Sequence, residues 1–97
     1  MVAPATPRQR FRLGATLATP GALDALAEAE QDVGELLARH ARGDWGDVDD
    51  EDKQANEAAL ADGARLLSTY TTKAGATLWV ITEADRSATT ILLPDEY

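Results

Sequence analysis

The feature that most constrains the fold is the alternation of apolar and polar residues that begins after Gly63. Three runs with the two-residue period of a strand, ARLLSTYTT, ATLWVIT and ATTILL, are separated by the short turns KAG and EADRS. Strands that follow one another through turns this short pair antiparallel. The sequence therefore predicts a three-stranded antiparallel meander over residues 64–93.

The first half of the chain carries the signals of one strand and three helices. Residues 9–17, QRFRLGATL, alternate between apolar and polar side chains, which predicts a half-buried strand. Side chains that can accept hydrogen bonds from a first helical turn, and glycine where a helix stops, mark the helices that follow. Their predicted limits are Thr19 to Ala29, Asp32 to Arg42, and Asp49 or Asp50 to Gly63.

The order of these elements, β-α-α-α-β-β-β, predicts an α+β fold with helices packed on one face of a four-stranded, largely antiparallel sheet. A chain of 97 residues suffices for one domain with a modest core and is too short for two. We therefore expect a single domain over residues 1–97, with residues 1–8 flexible. The chain has no cysteine, so packing rather than disulfide bonds must stabilise it.

The central strand of the meander is apolar on both faces. Leu78 and Val80 lie on one face, and Trp79 and Ile81 lie on the other. If the helices cover one face, a second copy of the chain is one candidate to cover the other, which would make the protein a homodimer through the free sheet face. The alternative is a few scattered apolar residues on the surface, as many soluble proteins have.

The net charge of −8 is concentrated in one stretch. Residues 43–62 carry eight acids against one lysine, which gives a local net charge of −7. A field of this sign repels phosphate backbones, so direct nucleic-acid binding is disfavoured and a basic protein surface or a cation is the favoured partner. No apolar run approaches the length of a membrane span, and the first ten residues are not followed by the apolar region of a signal peptide. We therefore expect a cytoplasmic protein with no membrane partner.

The acidic stretch supplies the candidate partner-binding residues. Carboxylates at close spacing would bind a basic surface and could imitate the phosphates of DNA, whereas the alternative is a solvated helix start, where the helix dipole favours acids. The tryptophan of this stretch, which stands between two glycines, is either a buried plug of the corner or an exposed anchor for a partner. The candidate set is Asp44, Trp45, Asp47, Asp49, Asp50, Glu51, Asp52 and Glu57.

The spacing of these acids does not fit a calcium loop. Counting from Asp44, Gly46 stands where an EF-hand needs a ligand and Ala55 stands where it needs a bidentate glutamate. A single histidine and the lack of cysteine disfavour a zinc site. We therefore predict no metal and no cofactor.

His40 is the candidate for chemistry. A histidine beside a carboxylate such as Asp44 can act as a general base, and with Arg65 and Tyr70 it would form the catalytic set of a small nucleic-acid-processing enzyme. No nucleophile signature accompanies it, and a histidine on the apolar face of a helix is more often a hydrogen-bonded residue at the edge of the core. The non-enzymatic interpretation is therefore preferred.

Three runs, RFRLGATLATPGALDALAEA, RHARGDWGDVDDEDKQAN and LWVITEADRSATTILLPDEY, resemble a family of small bacterial proteins carried on plasmids and other mobile elements. Some members of that family are labelled plasmid-related or restriction-subunit-like. The resemblance implies carriage on mobile DNA and brings no catalytic residues with it. The order of elements is also similar to that of RelE/ParE-type toxins, although those proteins are usually basic and the charge of −8 departs from that character.

These observations lead to two hypotheses. The first is a small acidic protein-binding module of a mobile element, which inhibits a host nuclease or defence protein in the manner of an anti-restriction or anti-CRISPR protein, or which serves as a regulatory partner. The second is a nucleic-acid-processing enzyme or toxin with a RelE/ParE-like order of elements.

Overall fold

The computed structural model describes residues 9–97 and has the element order that the sequence predicts. The expected flexibility of residues 1–8 lies outside the described residues. A 3₁₀ helix, Pro94–Glu96, follows the last strand. The strands are β1 (Ala15–Ala18), β2 (Leu66–Thr71), β3 (Thr77–Thr82) and β4 (Ala88–Leu92), and the helices are α1 (Pro20–Glu28), α2 (Val33–Ala41) and α3 (Asp50–Asp62).

The four strands form one sheet in the order β1-β4-β3-β2. The meander is confirmed, because β2 pairs antiparallel with β3 and β3 pairs antiparallel with β4. The first strand lies at the opposite edge and runs parallel to β4, with Ala15 beside Ala88 and Ala18 beside Ile91. The sheet is therefore mixed but mostly antiparallel, and the predicted α+β fold is confirmed.

The first strand is shorter than the predicted range of 9–17. It begins only at Ala15, because Gly14 takes a left-handed backbone angle, φ +67°, that ends the extended run. A side chain at Gly14 would also collide with the backbone of Arg86 and Ser87. The residues before the glycine serve other contacts, since Phe11 packs against the helical corner around Trp45 rather than in a strand.

Each helix begins where the sequence predicts. The side chains of Thr19, Asp32 and Asp49 cap α1, α2 and α3 by accepting hydrogen bonds from backbone N–H groups of the first turn. Gly63 ends α3 with a left-handed φ of +74°, the conformation that helix ends commonly reserve for glycine. None of the helices within residues 9–97 is both long enough and apolar enough to cross a membrane.

The helices cover one face of the sheet, as predicted, and form two adjoining clusters of buried side chains. The larger cluster joins α1 and α2 to the strands through Leu26, Leu36 and Tyr70, together with Ala22, Leu78, Val80 and Ile91. The smaller cluster joins α3 to β2 through Trp45, Val48, Ala59 and Leu66. Apolar burial of this kind is the main force holding the layers together.

The outer edge of β2 is closed by the chain itself. Asn56, a buried residue of α3, donates its side-chain amide to the carbonyl of Leu67 over 2.7 Å and accepts from the N–H of Leu67 over 3.1 Å. Two residues further along β2, Thr69 donates its N–H to the carbonyl of Trp45, and its own carbonyl accepts from the N–H of Asp47. The outward backbone groups of Leu67 and Thr69, which an edge strand would leave open, are thus satisfied within the chain.

We expect Asn56→Ala to lower the free energy of unfolding by about 2–4 kcal/mol, because it leaves the N–H and the carbonyl of Leu67 without partners. Urea denaturation would measure the change, and Gln54→Ala, at an exposed position of the same helix, is the matched control. A loss no larger than that of the control would show that the side-chain amide does not hold α3 to the sheet.

Candidate functional site

The corner between α2 and α3 is held by an ion pair. Arg39 donates from Nε to Asp44 Oδ2 over 2.8 Å, and Arg42 lies 3.8 Å from the same oxygen. The hydrogen bond from Arg39 holds the pKa of Asp44 below its ordinary value. One of the predicted partner-binding carboxylates is therefore neutralised inside its own corner.

The tryptophan of the corner is buried, with 5% of its surface exposed. The ring of Trp45 stacks on Phe11, with centroids 6.1 Å apart, and meets the edge of His40. Gly46 follows with φ +75° beside the carbonyl of Thr69, where no side chain would fit. Of the two interpretations, the buried plug is the one that the structure shows.

A second predicted carboxylate is also occupied. Glu57 accepts a hydrogen bond from Trp45 Nε1 over 3.0 Å and two from the guanidinium of Arg10, over 2.8 and 3.0 Å. The Arg10 hydrogen bonds, followed by the indole N–H, hold the pKa of Glu57 below its ordinary value. Glu57 therefore ties the N-terminal segment, the corner and α3 together.

The remaining acids divide into two groups. Asp47 accepts from the hydroxyl of Thr71 over 2.9 Å, and Asp49 caps α3 by accepting from the N–H of Asp52 over 2.8 Å. The side chains of Asp50, Glu51 and Asp52 are exposed, and none of the three forms an ion pair within residues 9–97. Of the eight predicted residues, these three present the carboxylates that the fold does not use. We call Asp50, Glu51 and Asp52 the acidic turn.

His40 lies at the centre of a buried hydrogen-bond chain whose direction is fixed. Thr89 donates to the carbonyl of Leu13 over 2.8 Å, so its hydroxyl must accept from Thr82, 2.7 Å away. The hydroxyl of Thr82 has then used its proton and accepts from His40 Nε2 over 2.9 Å. The neutral ring carries no proton on Nδ1, which accepts from Ser68 Oγ over 2.5 Å.

This environment keeps His40 neutral. Burial, and secondarily the positive charge of Arg86, lower its pKa to about 4. The ring is inaccessible to solvent and both of its nitrogens already have partners within the core. The structure thus gives His40 the role of a hydrogen-bonded core residue that the sequence allowed as the alternative.

The residues of the competing enzymatic hypothesis do not converge. Tyr70 lies on the helix-covered face of the sheet, where it is buried and donates to the carbonyl of Asp44. Arg65 lies beyond the other face, where it pairs with Glu83 and donates to the hydroxyl of Tyr97. His40, Arg65 and Tyr70 therefore share no common surface. Within residues 9–97, no cluster of three or more histidine, aspartate or glutamate side chains is placed to hold a metal ion.

The face of the sheet that the helices leave open is partly covered by the last residues of the chain. Tyr97 lies edge-on to Trp79, with ring centroids 5.8 Å apart, and the guanidinium of Arg65 lies over its ring. Glu96 fastens this segment by accepting from the hydroxyl of Thr19 and the N–H of Gly21. A groove of about 270 Å³ remains beside Tyr97, and its lining includes Leu67, Trp79 and Ile81.

The sequence does not predict that the 3₁₀ helix and Tyr97 cover part of this sheet face. The run Leu93-Pro94-Asp95-Glu96 has a proline at the first helical position and acids in the first turn, which is a usable signal for a short helix. Its packing against Trp79 depends on tertiary structure and leaves no such signal. A homodimer through this face stays a prediction.

No protein-family model matches the chain, and neither a curated protein nor a solved structure matches it. The resemblance to proteins of plasmids and mobile elements, and the analogy with RelE/ParE-type toxins, therefore stay predictions.

We expect the free energy of unfolding to fall by about 3 kcal/mol between pH 6.5 and pH 4 through His40 alone. Its pKa is lower in the folded state than in the unfolded state, so the unfolded state binds the extra proton in this range and stability rises with pH. Urea denaturation at a series of pH values would measure the slope.

The control is His40→Gln, which cannot titrate at this position. Carboxylates such as Asp44 and Glu57 contribute equally to both proteins, so the difference between the two slopes isolates the histidine. Identical slopes for the two proteins would contradict a neutral, buried His40.

Proposed function

We propose that the protein is a non-enzymatic binding module that engages a basic surface of a protein partner through the acidic turn. The observation that carries this proposal is the division of the acids. Asp44, Asp47, Asp49 and Glu57 have partners within the fold, whereas the acidic turn is exposed and has no counter-ion within the described part of the chain. The favourable N-terminal dipole of α3 accommodates these charges but does not neutralise three of them.

The helix that carries the acidic turn is firmly anchored, which supports a binding role. Asn56 pairs with the backbone of β2, and Arg86 donates to the carbonyls of Ala59 and Ala64 at the end of α3. Asp49 fixes the first turn. Carboxylates on a rigid helix lose little freedom when they bind, so more of their attraction for a partner appears as affinity.

Charge also favours a basic partner over a nucleic acid. The acidic turn lies in the stretch that carries a net charge of −7, and a field of one sign speeds the encounter with a surface of opposite sign. Arg10, Arg39 and Arg42 are engaged with Glu57 or Asp44. Lys53, which follows the acidic turn in the sequence, forms no ion pair with it within residues 9–97.

The partner class is proposed from this charge together with the resemblance to mobile-element proteins. A host nuclease or another defence protein has a basic groove for nucleic acid, and an acidic helix that occupies such a groove would inhibit it. A regulatory partner with a basic surface fits the same chemistry. The buried positions of His40 and Tyr70 support a binding protein over the enzymatic alternative.

We expect the triple variant Asp50→Asn, Glu51→Gln, Asp52→Asn to bind the partner about tenfold or more weakly than the wild type, because three surface charge pairs would be lost. The partner would first be isolated from a host lysate with the wild-type protein and then titrated with each variant by calorimetry. Raising the salt concentration should weaken wild-type binding and leave the triple variant less affected.

The matched control is Asp24→Asn, Glu28→Gln, Asp95→Asn. It makes the same change in net charge at three exposed acids outside the corner and α3. The control should bind like the wild type. Equal loss in both triple variants would indicate an effect of net charge alone, and no loss in either would refute binding through the acidic turn.

A further inference from the structure

The outer edge of β1 has open hydrogen-bonding groups. Ala15 and Thr19 direct their N–H groups to the carbonyls of Ser87 and Ile91, on the β4 side. Because successive residues of a strand alternate, the N–H and carbonyl groups of Thr16 and Ala18 point away from the sheet. Within residues 9–97, no backbone or side-chain group bonds to them.

This edge lacks the devices that usually protect an edge strand. The four residues ATLA contain no charge and no proline, and the strand carries no covering segment from residues 9–97, in contrast to the closed edge of β2. Leu17, in the middle, is 55% exposed and is one of the few large apolar side chains of the described chain that face solvent. An open, uncharged edge with an exposed leucine is suited to pairing with another strand.

We propose that two copies of the protein pair antiparallel through β1, with Leu17 opposite the partner's Leu17. In this register Thr16 faces the partner's Ala18, and Ala18 faces the partner's Thr16. Each of these pairs exchanges two hydrogen bonds, so all four open N–H groups of the two strands are satisfied. The two leucines form the intervening pair without hydrogen bonds, in which side chains approach most closely. The result is one sheet of eight strands.

A second copy fits this edge because the strand is self-complementary about Leu17. The open groups lie symmetrically on Thr16 and Ala18, one residue to each side, as a two-fold axis at Leu17 requires. Gly14, with its left-handed φ, ends the strand on one side and Pro20, which has no N–H, ends it on the other. Pairing between the two copies is therefore confined to the four residues of β1.

The net charge of −8 does not prevent this pairing. The helix with the acidic turn packs against β2, at the edge of the sheet farthest from β1. In the paired sheet the two copies of β2 would be separated by seven strand spacings, about 34 Å, which exceeds the screening length of about 8 Å at physiological salt. Asp24 and Glu28 of α1 are nearer, so added salt should strengthen the pairing.

The first test is the mass of the wild-type protein in solution, by light scattering over a range of concentrations. We expect a reversible dimer that Leu17→Lys weakens by at least about tenfold, because two like charges would oppose each other at the axis. Thr16→Pro should weaken it similarly by removing an outward N–H while leaving the pairing with β4 intact. The control is Leu23→Lys, at another exposed leucine outside the strand.

The second test identifies the register. The chain has no cysteine, so a single Leu17→Cys introduces one thiol per copy, and that thiol would face its own counterpart at the axis. We expect mild oxidation to link this variant into dimers faster than Leu23→Cys, which has a comparable exposure of 47% at the native leucine. Circular dichroism would confirm that each variant is folded.

Three results would overturn the proposal. A wild-type protein that stays monomeric at every concentration would refute the proposed dimer. Equal rates of disulfide formation at positions 17 and 23 would refute it as well. A dimer that persists unchanged in both Leu17→Lys and Thr16→Pro would show that copies join at another surface, such as the open sheet face beside Trp79.

Discussion

The closure of the β2 edge is the constraint on which the rest of the structure depends. Asn56 satisfies Leu67 with its side chain, and the residues around Trp45 satisfy Thr69 with their backbone. Together they fix the corner and α3 against the sheet, and the buried indole of the corner packs against the edge of His40. The segment between the second and third helices therefore acts as the protected edge of the sheet as well as a connection.

The two edges of the sheet differ, and this difference organises the surface. At β2 the chain closes its own edge and presents the acidic turn just outside it. At β1 the edge is uncharged, and no segment of residues 9–97 covers it. A pair of molecules joined at β1 would carry two acidic turns at opposite ends of one sheet, which suits a partner with two basic sites and would raise its apparent affinity.

Local features could be predicted from the sequence, whereas features that join distant segments could not. The caps Asp32 and Gly63 depend on neighbouring residues, and the meander depends on an alternating pattern, so both were predicted correctly. The late start of the first strand after Gly14, the pairing of Asn56 with β2 and the cover formed by Tyr97 arise from contacts between separate elements of the fold, or from a backbone angle that such contacts impose. The sequence places the candidate acids in one stretch, but which of them have partners within the fold depends on residues such as Arg10, Arg39 and Thr71.

The most direct test of the binding account is an NMR titration of the ¹⁵N-labelled protein with a lysine-rich peptide. We expect amide shifts at saturating peptide to be confined to the acidic turn and the residues next to it, because of the candidate acids those three alone lack partners within the described chain. The exposed acids Asp24, Glu28 and Asp95 provide an internal comparison in the same spectrum. Shifts spread evenly over these acids and the acidic turn would contradict the account, because they would show a response to net charge rather than to a defined surface.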